Sequence, residues 1–329
     1  QTELLKGSAS TARALLAKNK SRTVPRLVGD KCVGVEAYFL RPHAESGIDF
    51  ATPTTCATPC GDESETVKGT YDTVVLAEAQ GKVLDNRCDN LVNFGEELAV
   101  VQAHMMSQMR FEFNTVVAIP TLSAATQANL DTFMDATWDG TTNTPRITIP
   151  AADFSYERFP EFMAVAANNN FGDFFFVSGR LFYANDWFAG INRNNEGFRD
   201  QAIAFGQQEM FFDLRDLDQT MTRKTVFAVD ANSYAFWNTV RNTPTPQLQN
   251  TDTGRKWVWV QADPILTYMR DGRMVPVLYE FEMQETCVGR DEQKFQQNSY
   301  CLYGRLLGGL EFVPTGPNGE KGALQFSDQ

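Results

Sequence analysis

The sequence predicts an α+β fold in which one long helix lies on a sheet of long antiparallel strands, with an α/β lobe inserted between them. Three observations carry that prediction. Leu91, Phe94, Leu98, Val101, Met105, Met109, Phe113 and Val116 recur at spacings of three or four, a single apolar stripe at the helical period. Toward the C-terminus, KWVWVQ, MVPVLYEFEMQ, SYCLYGRLL and GLEFVP are extended, mostly alternating runs separated by DG, GR and TGPNG turns. Between the two, DFFFVSG and TVFAVD each precede a segment read as helical, which is the order of an α/β layer over residues 155–245.

The elements follow in chain order. QTELLKGSASTARALLAKNKSRTVPR is a basic arm rich in small residues. CVGVEAYFL and YDTVVLAEAQGKV are β-branched and aromatic enough for strands, and they frame a long Pro-, Thr-, Ser- and Gly-rich excursion. The striped helix is capped by Asp89 or Asn93 and stopped by Pro120, some 40 Å in all at 1.5 Å per residue. A second helix, ATQANLDTFMDAT, leads into the turn-rich WDGTTNTP. RITIPAADF then reads as a strand, RFPEFMAVAANNN as a helix with Pro160 in its first turn, and DFFFVSG as a buried strand before a short helix at 181–188. TVFAVD and ANSYAFWNTV repeat strand then helix.

Charge sorts the function classes. The chain carries 41 Asp plus Glu against 29 Lys plus Arg, a net of -12, which argues against a dedicated nucleic-acid binder. That charge is uneven: Lys6, Arg13, Lys18, Lys20, Arg22 and Arg26 against Glu3 and Asp30 give the first 30 residues +4, leaving -16 for the rest. A basic arm on an acidic body reads as a segment that packs outside its own core. No apolar run reaches the 18 to 20 residues of a membrane span, and the N-terminus lacks the apolar core of a secretory signal, so a soluble product is expected. The first residue is Gln1, as expected of a processed or trimmed chain.

Candidate chemistry is sparse. Six cysteines (Cys32, Cys56, Cys60, Cys88, Cys287, Cys301) are too few for a disulfide scaffold, which points to the cytoplasm. Cys56 and Cys60 in CATPC have ligand-like spacing, but no second close pair follows and the only histidines are His43 and His104. No cofactor is therefore expected. Cys287 and Cys301 flank a polar loop that could bring them together, though free thiols are the plainer reading. Two histidines leave little room for Ser-His-Asp or Cys-His chemistry, and neither a phosphate-binding loop nor a dinucleotide fingerprint occurs. Asp213, Asp216 and Asp218 in FFDLRDLDQT fit either a glycosidase carboxylate pair or a solvated loop pairing with Arg215. The tract FGDFFFVSGRLFYANDWF reads as a sugar platform or, better, as buried core. A carboxylate-dependent glycan-binding or glycan-hydrolysing protein is thus one alternative function.

Basic arm, stranded excursion, spine-like helix, α/β lobe and terminal long strands together resemble the Hong Kong 97-type major capsid proteins of tailed bacteriophages. TVFAVDANSYAFWN is similar to the strand and helix of the axial domain in such coats. VPVLYEFEMQETCVGRD followed by GGLEFVPTG is similar to the closing region in coats of phages infecting Bacteroidota. The resemblance implies an N-terminal arm at 1–31, an extended β-hairpin loop at 32–90, a peripheral domain with its spine helix at 91–154 and 250–329, and an axial domain at 155–249. It further implies no enzyme activity. The chain would be a homo-oligomer of hexamers and pentamers in an icosahedral virion shell, assembled in the host cytoplasm around DNA that it encloses without specific binding and away from any membrane. Decoration, portal and scaffolding proteins are the partners implied. The arm's Lys6, Arg13, Lys18, Lys20, Arg22 and Arg26 would make inter-subunit contacts, and the loop would present His43, Cys56, Cys60 and Lys68, with Lys68 or Lys82 testable for a covalent staple. An encapsulin-like nanocompartment shell is the alternative within the same architecture.

Overall fold

Alternating apolar and polar residues in long runs demand a sheet with one covered face, and the chain builds it from segments far apart in sequence. The computed structural model describes residues 10–28, 31–41, 66–85, 92–127, 137–139, 146–182, 202–205, 208–242, 245–251, 254–287, 298–316 and 319–328. Its elements are α1 (Ser10–Lys18), β1 (Arg22–Val28), β2 (Lys31–Leu40), β3 (Thr66–Asp72), β4 (Val74–Asp85), α2 (Val92–Glu112), a π-helical turn (Phe113–Ala118) and α3 (Ile119–Ala124). There follow β5 (Thr137–Asp139), β6 (Arg146–Ile149), α4 (Phe159–Asn168), β7 (Phe174–Gly179), the single turn α5 (Arg180–Phe182), β8 (Ala202–Phe205), β9 (Gln208–Asp213), α6 (Leu217–Met221) and β10 (Thr225–Asp230). The last six are β11 (Tyr234–Asn238), β12 (Gln247–Thr251), β13 (Gly254–Arg270), β14 (Arg273–Cys287), β15 (Asn298–Phe312) and β16 (Ala323–Asp328).

The long-strand sheet runs β11-β15-β14-β13-β12, with β4 also paired to β15. β15 pairs with β4 over residues 298–308 and with β11 over residues 308–312. Asp271 and Gly272 both have positive φ and turn β13 back into β14, which is what a two-residue Asp-Gly hairpin requires. On this sheet lies α2, whose Met105 and Met109 are buried while Phe94, Leu98 and Val101 pack at the rim of the same core.

Pro120 does not stop the helical path. It falls in the first turn of α3, just after the π turn. A proline ring collides with the carbonyl four residues earlier in an α-helix, and the wider π turn relieves that collision. The extra residue per π turn also shifts the stripe: Phe113 and Ala118 are fully buried, whereas Val116, expected on the inner face, is 64% exposed.

A second sheet has the order β5-β6-β16-β10-β7-β9-β8. It is covered on both faces, so β7 (FFFVSG) is buried at every position. Phe174 and Phe176 point into a phenylalanine-rich core with Phe159 and Phe162 of α4, while Phe175 and Val177 face the core shared with α1 and α2. The described aromatic side chains of the tract, Phe171, Phe174, Phe175, Phe176 and Phe182, are therefore interior. Sheet membership crosses the expected segment boundaries: 137–149 and 323–328 join this sheet, and 234–238 joins the long-strand sheet.

ANSYAFWNTV is not the expected helix. After a tight turn at 231–233 it forms β11, antiparallel to β15. Tyr, Phe and Trp favour a pleated surface. Tyr234 and Phe236 face the large core, and Ala235 faces the small cluster with Ala37, Phe39 and Val313. The third sheet, β1-β2-β3, packs on that cluster through Val67 and Tyr71. The predicted helices at 125–137 and 181–188 fall largely outside the described residues.

Candidate functional site

The expectation that the arm packs outside its own core fails for residues 10–20. Ala12, Ala14, Leu15 and Leu16 of α1 are fully buried in the main core. The reason lies in the stretch STARALLAK, where two alanines beside two leucines let the helix sit close to its neighbours.

A helix so buried needs partners for its first N–H groups, which have none within the helix. The body supplies them. Thr11 donates its N–H (3.3 Å) and its hydroxyl (2.7 Å) to Oδ2 of Asp213, and the N–H of Ala12 donates to Oδ1 of Asn114 at 2.9 Å. Nδ2 of Asn114 in turn donates to Oδ2 of Asp213 (3.0 Å) and Oδ2 of Asp216 (2.9 Å). The other oxygen of Asp213 accepts from the N–H of Asp216 at 2.9 Å. A carboxylate thus sits at the positive end of α1, held there by an amide that the π turn carries inward. Burial pushes the Asp216 carboxyl above the usual range, and the Asn114 hydrogen bond pulls it back. Burial likewise raises Asp218, whose Oδ2 accepts the N–H of Leu181 at 2.6 Å.

This cluster corrects the solvated half of the loop reading of 213–218, while the expected pairing with Arg215 is present at Asp216. Asp213 and Asp216 are each 1% exposed; both oxygens of Asp213 and Oδ2 of Asp216 accept hydrogen bonds from the chain's own groups, and Oδ1 of Asp216 lies 3.5 Å from Nε of Arg215. The cluster is a clasp for α1. The glycan alternative finds no support in it, because a hydrolytic pair must reach a substrate.

The arm's cations are distributed as follows. Lys18 pairs with Glu209 at 2.7 Å, Lys20 pairs with Asp173, and Arg26 pairs with Asp72 at 2.5 Å. Arg13 and Arg22 are exposed, and Lys6 lies outside the described residues. In the excursion, Lys68 on β3 pairs with Glu36 at 2.9 Å and lies over the Tyr38 ring. That bond holds the Glu36 carboxyl below its usual value and raises the Lys68 ammonium. His43, Cys56 and Cys60 lie outside the described residues. His104 sits exposed on α2 beside Gln108, with 3.1 Å between their Nε2 atoms. Cys287 pairs with Asn298 and Cys301 with Gln284, a register offset of three. Three residues along a strand span about 10 Å, too far for a disulfide. Among the described residues no cluster of three metal-ligating side chains occurs.

One buried constellation is invisible in the periodicity. Arg110 of α2, fully buried, lies 3.4 Å from Oδ2 of Asp263, which also accepts the Tyr279 hydroxyl at 2.9 Å. Oδ1 of Asp263 accepts the N–H groups of Ile265 (2.8 Å) and Leu266 (2.9 Å), where the β13–β14 register slips. Burial drives the Tyr279 phenol well above its normal value. The group pins the spine helix to its sheet. Its only sequence signal is an arginine one residue past Met109, on the flank of the apolar stripe.

Comparison with known proteins returns structural likeness alone. No protein-family model matches the sequence, and none of the curated proteins matches it. Among solved structures, the chain is similar to one from the capsid of the cyanophage P-SCSP1u, at 11% identity and a TM-score of 0.45, covering 95% of this chain and 87% of that one. It is also similar to a chain of the cyanophage Pam1 capsid asymmetric unit, at 8% identity and a TM-score of 0.41, covering 89% and 83%. A third likeness is to a virus-like particle from Pyrococcus furiosus, at 10% identity and a TM-score of 0.33, covering 81% and 82%.

Proposed function

We propose that the chain is a structural shell protein, a major capsid protein of the Hong Kong 97 type that assembles as hexamers and pentamers around double-stranded DNA. One observation carries the reading: a spine helix laid across a long-strand sheet built from segments 74–85, 234–238, 247–251, 254–270, 273–287 and 298–312, with a second sheet and a small excursion sheet attached. A helix laid on long antiparallel strands, with further sheets beside them, is the kind of part the resemblance implies, and its presence supports the reading. In this reading 1–31 is the arm, 32–90 the extended loop, 91–154 and 250–329 the peripheral domain, and 155–249 the axial domain. The clasp anchors α1 within its own subunit. Among the described arm cations, exposed Arg13 and Arg22 are then left for a neighbouring acidic body, where complementary charge sets register more than affinity.

The test is electron microscopy of the purified chain over a range of concentration and salt. Closed particles are expected; a strictly monomeric species under all conditions overturns the proposal. Analysis of particle contents separates a DNA-filled coat from a compartment holding protein cargo.

A further inference from the structure

A groove of about 400 Å³ opens between α3, the end of α6 and one face of the second sheet. Pro120 and Ser123 form one wall and Thr220 the other, Arg146 and Arg223 reach it from the strand and loop, and Gln325 of β16 lies at its floor. Among the described residues no aspartate or glutamate lines it. At its α3 end the Lys321 ammonium donates to the carbonyl of Ala124, itself a lining residue, at 3.2 Å. In a chain of net charge -12, this is a cationic cleft on an acidic molecule.

The floor carries the argument. Gln325 is 2% exposed, yet its Oε1 has no hydrogen-bond partner among the described residues. Leaving a buried acceptor unpaired is costly, so such groups usually have a partner. The missing partner must be a donor, whereas the guanidinium of Arg223 asks for an anion. A bare sulfate or carboxylate, which has no donor, meets the second need and not the first. A peptide segment with an acidic side chain meets both: its main-chain N–H donates to Gln325 Oε1 while its carboxylate lies against Arg223.

We infer that this groove receives an acidic peptide segment from a second copy of the chain. The inference rests on the shell reading above and names one of its subunit contacts. Self-association supplies the occupant, because the body outside the arm carries -16 and so offers acidic segments in every copy.

The experiment is sedimentation of the full chain and of two variants, Arg223→Glu and Gln325→Met, with near-ultraviolet circular dichroism to establish that each is folded. Arg223 is half-buried at the rim, so its replacement tests the groove without disturbing the sheet. The expected result is association weakened at least tenfold in Arg223→Glu, with a smaller loss in Gln325→Met. As a direct probe, an acetylated, amidated hexapeptide of residues 61–66 (GDESET) should bind the wild-type chain held below its association threshold. Its Asn/Gln analogue and inorganic sulfate should bind at least tenfold more weakly. If the folded Arg223→Glu chain associates like wild type, or sulfate competes as well as the peptide, the groove assignment falls and the shell reading stands. If wild type never associates, both fall.

Discussion

The N-terminal helix and the small excursion sheet are neighbours in sequence, yet they are held by opposite means. Helix α1 is held by burial: two alanines, two leucines and a clasp of Asn114, Asp213 and Asp216 that its own sequence does not contain. The sheet β1-β2-β3 touches the body through a handful of residues around Phe39 and Tyr71, and its other face carries ion pairs in water, Lys68 with Glu36 and Arg26 with Asp72. Net charge marks both as one basic arm and its extension. Packing divides them, because burying methyl groups and satisfying buried donors is worth several kilocalories per site, whereas exposed pairs are worth little.

Emptying the slot beneath α1 tests that division most strongly. Leu15→Ala removes a fully buried side chain and should cost about 2–5 kcal/mol in chemical denaturation. Asp213→Ala should come next, at roughly 2–4 kcal/mol, since it leaves the Thr11 N–H, the Thr11 hydroxyl and one Asn114 contact without their acceptor. In both, limited proteolysis should cut near residues 10–20 before the rest unfolds. If 1 M salt released α1 from the wild type as readily as these substitutions do, charge and not packing would be holding it.

The two regions meet at one turn, and there the comparison becomes pH-dependent. Residues 230–233 accept the N–H of Lys20 on Ala231 O (3.1 Å), and both the Ser21 hydroxyl (2.9 Å) and the N–H of Leu40 (3.0 Å) on Asn232 O. Asp230 starts the turn, 4% exposed, its carboxyl pushed up by burial from 3.8 to about 6 despite hydrogen bonds from Asn232 and Gly172 and the attraction of Lys20. A carboxyl raised in the folded state favours folding when protonated. Stability from this group should therefore rise as pH falls through 6 toward 3.8, and be lost above 6. Asp230→Asn should stabilise the fold at pH 7.5 by on the order of 1–3 kcal/mol and leave it unchanged near pH 4. Asp216, Asp218 and Glu311 shift in the same direction, so the variant's difference from wild type, and not the whole pH curve, is the measurement.

Much of this was legible in the sequence because burial follows period. The stripe from Phe94 to Phe113, the alternating C-terminal runs and the unbroken FFFVSG each name their element. What escaped depended on partners far along the chain. Nothing within ANSYAFWNTV says that β15 offers Gly308 and Gly309 against Trp237, where a Cβ would collide with the Trp237 carbonyl or ring. The phase shift after Phe113 needs the π turn, which no apolar spacing announces. The clasp reads as a surface loop until Thr11 and Asn114, 202 and 99 residues from Asp213, are brought to it.

The smallest expected effect lies on the excursion sheet. Lys68→Gln removes the partner that lowers the Glu36 carboxyl and that lies over the Tyr38 ring, yet both charges face solvent. The denaturation midpoint should not move measurably, while NMR titration of Glu36 should return its carboxyl to the usual range. A stability loss comparable to that of Leu15→Ala would mean that the sheet is held by its charges after all, and would erase the contrast with α1. If instead the midpoint holds and only assembly weakens, Lys68 acts between copies of the chain. That is the use for exposed charge that the packing of β1-β2-β3 leaves open.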